Sequence, residues 1–261
     1  MNILQKIVTY KREVLQRQKK EVSESKLLKL LDRSLPAARF QEKIAQEGAH
    51  LIAEIKKASP SAGIIREDFD LLSLATAYKK GGADCLSVLT EDKFFKGQLS
   101  FLDDIRPKVD LPLLRKDFII DEYQIYESKV HGADSILLIA SLLDEKTLAH
   151  FLKEASRFKL DVVLEVHNDE ELKKALDSGV RTIGINTRDL TDFSIDFNIV
   201  PKLLEKIPKR CLVIIESGFK KVGDLFLIKK FKINAVLVGE ALMRPPDVLA
   251  QTRAFVDFLK K

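Results

Sequence analysis

The stretch PLLRKDF, residues 112–118, begins as a buried strand and then sets Arg115, Lys116 and Asp117 in a row where its apolar run stops. A single triplet of this kind reads as a solvated strand end, because charged side chains belong at surfaces. Four further runs end in a similar way. LIAEIKK (51–57) carries Glu54, Lys56 and Lys57, and DVVLEVH (161–167) puts Glu165 near its end. RTIGINTRD (181–189) leads to Asn186 and Arg188, and CLVIIESGF (211–219) to Glu216-Ser217-Gly218. Polar and ionisable groups therefore gather at the carboxyl ends of five runs, with no comparable pattern at the amino ends.

Strand-like runs occur near 51–56, 85–89, 112–116, 135–140, 161–166, 181–186, 211–216 and 234–239. Between them lie segments of helical spacing such as LLSLATAYKKGGAD (71–84), DEYQIYESKVHGAD (121–134) and NDEELKKALDSGV (168–180). Gly81-Gly82, Gly132 and Gly179 stop these helices where a left-handed cap is needed. Helical connections between successive strands require parallel pairing, and near-continuous apolar strands suit a sheet covered on both faces. An open doubly wound sheet usually has a glycine-rich turn after its first strand, whereas here that strand leads into KKASPSAG (56–63). The expected fold is α/β, a (β/α)8 TIM barrel of one domain over 1–261, in which about 1–48 form an N-terminal helical extension. Such a barrel explains why reactive groups collect at the carboxyl ends of several strands.

The composition is that of an ordinary globular chain, with 261 residues and 46% hydrophobic content. No apolar stretch approaches the roughly 20 residues of a membrane span. The first 21 residues form a charged amphipathic helix without the apolar core or cleavage site of a secretory signal, so a cytoplasmic protein is expected. Cys85 and Cys211 each begin an apolar run and read as small buried hydrophobes. The four histidines lack metal-ligand spacing, so no metal site is expected; His167 follows Glu165 and reads as the start of the next loop or helix. The net charge of +5 allows a nucleic-acid partner, but acidic residues interleave the basic ones. The run from Lys11 to Lys20 therefore reads as a solvated helix face. No nucleic acid and no membrane are expected as partners.

Residues two apart on a strand share a face, so Glu54 and Lys56 point together into the barrel while Lys57 points away. By the same alternation Lys116 follows Leu114 and Glu165 follows Val163. Two lysines and two glutamates then stand within reach of one ligand, as acid–base groups or as ion pairs closing the barrel mouth; the charges alone leave both readings open. Gly218 and Gly239 each stand at a strand end before a helical segment, at the seventh and eighth strands. There, unobstructed backbone N–H groups would bind a phosphate.

IAEIKKASPSAGIIREDFD, LSVLTEDKFFKGQLSFL, LLRKDFIIDEYQIYES, LEVHNDEEL, GINTRDL and LVGEALMRPPD, in this order between about 50 and 247, resemble the indole-3-glycerol phosphate synthase family. The resemblance implies the decarboxylating and dehydrating ring closure of 1-(2-carboxyphenylamino)-1-deoxyribulose 5-phosphate, a lyase reaction of tryptophan biosynthesis, with no cofactor. It implies Lys116 as the general acid at the ribulose carbonyl and Lys56, supported by Glu54, at the substrate carboxylate and in the dehydration. Glu165 would answer positive charge on the anilino nitrogen or move a proton, and the division between Glu54 and Glu165 stays open. Asn186, Arg188 and Ser217 would orient the substrate, and Ser59, Gly218, Gly239 and Glu240 would hold its phosphate. A monomer or weak oligomer is expected, with association with other tryptophan-pathway enzymes left open. The chain departs from the family pattern at Leu71, Thr187, Ile215 and Phe219, and the bulk of the last two is expected to alter the phosphate end. The residues by themselves also allow a phosphate-binding aldolase with Lys116 or Lys56 as Schiff-base nucleophile.

Overall fold

The computed structural model describes residues 2–31, 40–189 and 193–261. The part of the expected helical extension at 32–39 and the end of GINTRDL at Leu190 lie outside the described residues. Eight parallel strands form a closed barrel: β1 (His50–Ile55), β2 (Cys85–Leu89), β3 (Leu113–Lys116), β4 (Ser135–Ile139), β5 (Asp161–Val166), β6 (Thr182–Asn186), β7 (Leu212–Glu216) and β8 (Ala235–Val238). Each strand pairs with its sequence neighbours, and β8 pairs with β1 to close the ring. Helices α1 (Ile3–Glu21), α2 (Glu24–Leu31) and α3 (Phe40–Ile44) precede the barrel. Around it run α4 (Leu71–Gly81), α5 (Ser100–Ile105), α6 (Glu122–Val130), α7 (Glu145–Arg157), α8 (Asp169–Asp177), α9 (Ile199–Leu204), α10 (Glu240–Met243) and α11 (Val248–Leu259). Between β7 and β8 the connection carries a 3-10 helix, Val222–Leu227. The helix expected directly after Gly218 is therefore absent from that position.

Alternation along each strand builds two apolar layers. Ile52, Cys85, Leu114, Leu137, Val163 and Ile214 fill the barrel, while Leu51, Leu86, Leu113, Ile136, Leu164 and Ile215 face the surrounding helices. Phe40 and Ile44 of α3 are fully buried in the inner layer. They plug the amino-terminal end, where the Gln41 N–H donates to Asp161 at 2.8 Å. Helix α1 instead lies over the carboxyl ends of β2 and β3: Tyr10 donates to Asp92 at 2.7 Å, and Lys11 pairs with Asp117 at 2.8 Å. Lys11 is buried, which corrects the reading of its run as a solvated helix face at that residue, whereas Arg12, Glu13, Arg17 and Lys20 are exposed as expected.

The amino ends do carry a pattern. Asp84, Asp134 and Asn234 stand just before β2, β4 and β8. Their side chains accept the backbone N–H groups of Leu51, Leu113 and Val213 on the neighbouring strand, at 3.1, 2.7 and 2.9 Å. Each also donates its own backbone N–H to the carbonyl of that same partner. These reciprocal bonds satisfy strand-start donors that the ladder leaves over. Asp134 further holds Arg106 at 2.7 Å with its carboxylate almost fully buried. Removing it leaves a buried N–H without its acceptor and takes the carboxylate from the half-buried Arg106, which keeps the Val109 and Leu111 carbonyls, so Asp134→Ala is expected to lower the unfolding free energy by about 2–4 kcal/mol in urea titrations. Asp134→Asn, which keeps an acceptor for Leu113, should lose distinctly less; equal losses would mean that the backbone staple contributes nothing.

Candidate active site

Eleven residues expected from the sequence line one cavity at the carboxyl ends of the strands: Glu54, Lys56, Ser59, Lys116, Glu165, Asn186, Arg188, Ser217, Gly218, Gly239 and Glu240. Lys57 turns away, with its ammonium 5.6 Å from the centre of the Phe69 ring. The cavity has an apolar side from β2 to β4 and the loops that follow them, formed by Leu89, Phe95, Phe118, Leu137 and Ile139. The glycine-bearing ends of β7 and β8 lie across the barrel from it.

Lys116 is the electrostatic centre. Its ammonium donates to Glu165 at 2.8 Å and lies 3.1 Å from Glu216, and both carboxylates are about 1% exposed. Burial alone would weaken the ammonium, but Glu165, Glu216 and Glu54 outweigh it and hold the Lys116 pKa above its ordinary value. Burial likewise opposes ionisation of Glu165, yet Lys116 and His167 together keep its pKa well below the usual carboxylate range. Glu216 goes the other way. The contact with Lys116 lacks hydrogen-bond alignment, and neither Glu216 oxygen accepts a hydrogen bond among the described residues. Burial therefore prevails, helped by the neighbouring negative charge of Glu165, and the Glu216 pKa is pushed up to about 7. A second pair, Lys56 with Glu54 at 2.5 Å, stands beside this one.

Glu216 is counted in the sequence among the polar strand ends but is given no role there among the candidate site residues. The available signal was alternation, since Leu212, Ile214 and Glu216 share the inward face of β7 as Leu114 and Lys116 share that of β3. Two glycines make room for the carboxylates. A Cβ on Gly184 would land on the Glu216 carboxylate, and one on Gly239 would land on that of Glu54. Ser217 and Gly218 both adopt left-handed backbone, with φ of 68° and 83°. A Cβ on Gly218 would press on the Phe197 ring at 2.7 Å, and that ring packs edge-on against Phe219 at 5.4 Å. Phe219 thus borders the cavity, whereas Ile215 is fully buried in the outer layer and does not line it. The expectation that Ile215 reshapes this end is corrected. Asn186 accepts the Arg188 backbone N–H at 3.0 Å, a side-chain turn that carries Arg188 over the mouth.

The charges flanking Lys116 are structural. Arg115 points outward and is buried, donating to the Gln124 carbonyl at 2.9 Å and to Ser128 at 3.1 Å. Asp117 is held by Lys11 at 2.8 Å, Arg115 at 3.0 Å and Thr90 at 2.7 Å. Lys11 and Arg115 overcome its burial and keep its carboxyl far below the ordinary range. The triplet is therefore a buried clamp with one lysine turned inward, and not the solvated strand end that a single triplet suggests. No group of three or more His, Cys, Asp or Glu side chains able to hold a metal ion occurs among the described residues, and no helix among them is long and apolar enough to cross a membrane.

A family model described as indole-3-glycerol phosphate synthase matches residues 4–255. Relatives carrying that name include one from Alkaliphilus metalliredigens, 45% identical, with 94% of this chain and 95% of the relative covered. Another, from Rhodopirellula baltica, is 42% identical, with 98% and 99% covered. Among solved structures, KGPDC from Streptococcus mutans aligns with a TM-score of 0.64 at 17% identity, covering 82% of this chain and 98% of that one. A 3-hexulose-6-phosphate synthase aligns with a TM-score of 0.64 at 18% identity, covering 80% and 99%. At such identities the structural likeness speaks for the barrel alone.

Because Glu216 binds its proton more tightly when folded than in the unfolded chain, it costs no stability below its ordinary pKa of 4.5. Its contribution then turns against folding as pH rises from about 4.5 to about 7 and levels off above. Glu216→Gln lacks this charge. The difference in unfolding free energy between the variant and the parent should shift in the variant's favour by at least about 1 kcal/mol between about pH 5 and about pH 8. A difference that stays flat with pH would show that Glu216 is not forced toward its neutral form.

Proposed function

The chain belongs to the indole-3-glycerol phosphate synthase family, and from that premise we propose how its side chains divide the reaction. That reaction converts 1-(2-carboxyphenylamino)-1-deoxyribulose 5-phosphate into indole-3-glycerol phosphate for tryptophan biosynthesis, closing a ring with loss of carbon dioxide and water. Lys116 is the general acid of ring closure. As the ring carbon that bears the carboxylate attacks the ribulose carbonyl, a proton passes from the ammonium to the carbonyl oxygen, which becomes a hydroxyl. Departure of carbon dioxide returns an electron pair to the aromatic ring. In the dehydration the hydroxyl leaves as water and a proton leaves the adjacent methylene carbon, which forms the indole double bond.

The observation that carries this division is the single ammonium between two buried carboxylates. It keeps Lys116 protonated until an oxygen of greater basicity develops beside it, and the low dielectric strengthens that transfer. Glu165, held ionised, is the fixed negative charge that answers the positive charge spreading to the anilino nitrogen. Glu216, with its pKa near neutrality, takes up and returns the proton that moves through the site. Lys56, held by Glu54, meets the substrate carboxylate and later protonates the departing hydroxyl. The aryl ring lies on the apolar side, and the phosphate lies across the barrel at Ser59, Gly218, Gly239 and Glu240, with Asn186, Arg188 and Ser217 orienting the substrate between them. A Schiff-base role is disfavoured, because it needs a neutral amine and Glu165 with Glu216 hold Lys116 as an ammonium. The same reading has one barrel domain with residues 1 to about 48 as its extension, acting in the cytoplasm as a monomer or weak oligomer. Among the described residues the exposed large apolar side chains, Leu30, Ile64, Leu72, Phe226 and Leu227, are spread over four elements.

Lys116→Met keeps the packed stem and loses the acid, so kcat/KM should fall at least about a hundredfold with the fold intact. Lys57→Met should stay near the parent. Indole fluorescence reads the product directly, since the chain contains no Trp. Turnover close to the parent in Lys116→Met would reject the role. Gly218→Ala forces a side chain onto left-handed backbone and against Phe197. It should raise KM and the inhibition constant of inorganic phosphate by the same factor, at least about fivefold; unchanged constants would put the phosphate elsewhere.

A further inference from the structure

His167 stands two residues past Glu165, between β5 and α8, and none of the roles above uses it. Its side chain is 13% exposed. Nε2 lies 3.3 Å from Glu165 Oε1, on the carboxylate oxygen that Lys116 does not take. On its other side Nδ1 lies 3.0 Å from Glu171 Oε2, which also accepts the His167 backbone N–H at 2.8 Å. Glu171 is itself anchored by the first turn of α8. Its Oε1 accepts from Asn168 Nδ2 at 3.0 Å, while Asn168 Oδ1 accepts the Glu171 backbone N–H at 2.9 Å. This is a helix cap closed in both directions. A continuous path of contacts leads from that cap through Glu171, His167 and Glu165 to the Lys116 ammonium.

Both ring nitrogens face carboxylate oxygens, and only the imidazolium has a proton for each. The contact with Glu165 is an ion pair without full hydrogen-bond alignment, so it depends on charge more than on a shared proton. The charged groups facing the ring are Glu165 from β5 and Glu171 from α8, with Lys116 beyond Glu165. Burial opposes the charge of His167, but these two glutamates overcome it and lift its pKa to about 10.

We propose that His167 is a positioning residue for the reaction: its imidazolium, anchored on Glu171, holds one oxygen of Glu165 so that the other stays on Lys116. The inference rests on the roles proposed for Lys116 and Glu165. Without this cation, Glu165 Oε1 would be a buried carboxylate oxygen with no counter-charge. The group would then turn off Lys116 or take up a proton at higher pH. Either change leaves the acid misaligned while the surfaces that bind the phosphate and the aryl ring stay as they are.

The test is steady-state kinetics from about pH 5 to about pH 9 on His167→Gln, Glu165→Gln, the double variant and His131→Gln, with folding checked by circular dichroism. His167→Gln should lower kcat about tenfold or more with KM moved less than about threefold, because misplacement acts on the chemical step. The acid limb of its kcat profile should move to higher pH. The double variant should lose no more than Glu165→Gln alone, since His167 acts only through that carboxylate. His131→Gln, in which an exposed ring paired with Asp103 is lost, should match the parent. Unchanged kcat and acid limb in folded His167→Gln, or losses that multiply in the double variant, would overturn the proposal and leave the roles of Lys116 and Glu165 standing. Near-parental activity in Glu165→Gln would overturn those roles and this inference together. Independently of activity, the His167 ring should stay an imidazolium through about pH 8 by nuclear magnetic resonance; a ring titrating near its ordinary pKa of about 6.5 would also overturn it.

Discussion

A single buried ammonium facing two buried carboxylates is the constraint that the rest of the site serves. Lys116 cannot neutralise both Glu165 and Glu216, and both carboxylates are almost wholly buried, so the surplus charge is costly. The two glutamates therefore part company according to their other neighbours. Glu165 has His167 on its second oxygen and stays ionised, whereas Glu216 has no second cation beside it among the described residues and holds its proton into the neutral range. Two residues of one chemical type, a few ångströms from the same lysine, acquire different proton affinities through one additional contact. This separation lets a fixed charge and a mobile proton coexist in one cavity.

The barrel creates the conditions for that separation. Leu114, Leu137, Val163 and Ile214 fill the interior beneath the charged layer, and Phe40 and Ile44 plug the far end, so the charged layer rests on apolar side chains. Glycines at 184 and 239 leave space for the carboxylates that a larger residue would displace. From outside, Lys11, Arg115 and Thr90 converge on Asp117 and fix the backbone one residue beyond Lys116. An N-terminal helix is thereby tied to the strand end that presents the lysine. The placement of Lys116 reflects buried polar contacts on the outer face as much as the carboxylates on the inner one.

The eight strands and the inward set Glu54, Lys56, Lys116 and Glu165 were legible because alternation of period two and helical connections leave a direct imprint on sequence. Features that depend on a distant partner were not. Lys11 sits in a run of charges that reads as a wet helix face, and only the return of β3 beneath it supplies Asp117. Glu216 obeys the same alternation as Lys116 and stands at a recognised strand end, but only the approach of Lys116 and Glu165 in the folded barrel gives its carboxylate a role. The staples at the amino ends left a partial trace, since Gly-Ala-Asp occurs at both 82–84 and 132–134. The third, Asn234, uses an amide and no such motif. Asp before a strand reads as ordinary turn chemistry until the neighbouring N–H is seen to lie within its reach.

The two ends of the barrel use similar residues to opposite effect. At the amino end, Asp84, Asp134 and Asn234 each accept a backbone N–H from the adjacent strand, so their polarity is spent on holding the ring together. At the carboxyl end, Glu54, Glu165 and Glu216 face one another and two lysines across a cavity, and Glu216 finds no hydrogen bond among the described residues. Unsatisfied buried polarity costs stability, and a chain tolerates it only where other contacts over-determine the fold. The plugged and stapled lower end supplies that surplus. The upper end can then keep a carboxylate near the balance point between its two protonation states, where a small change in its surroundings, such as an arriving substrate carboxylate, is enough to move a proton.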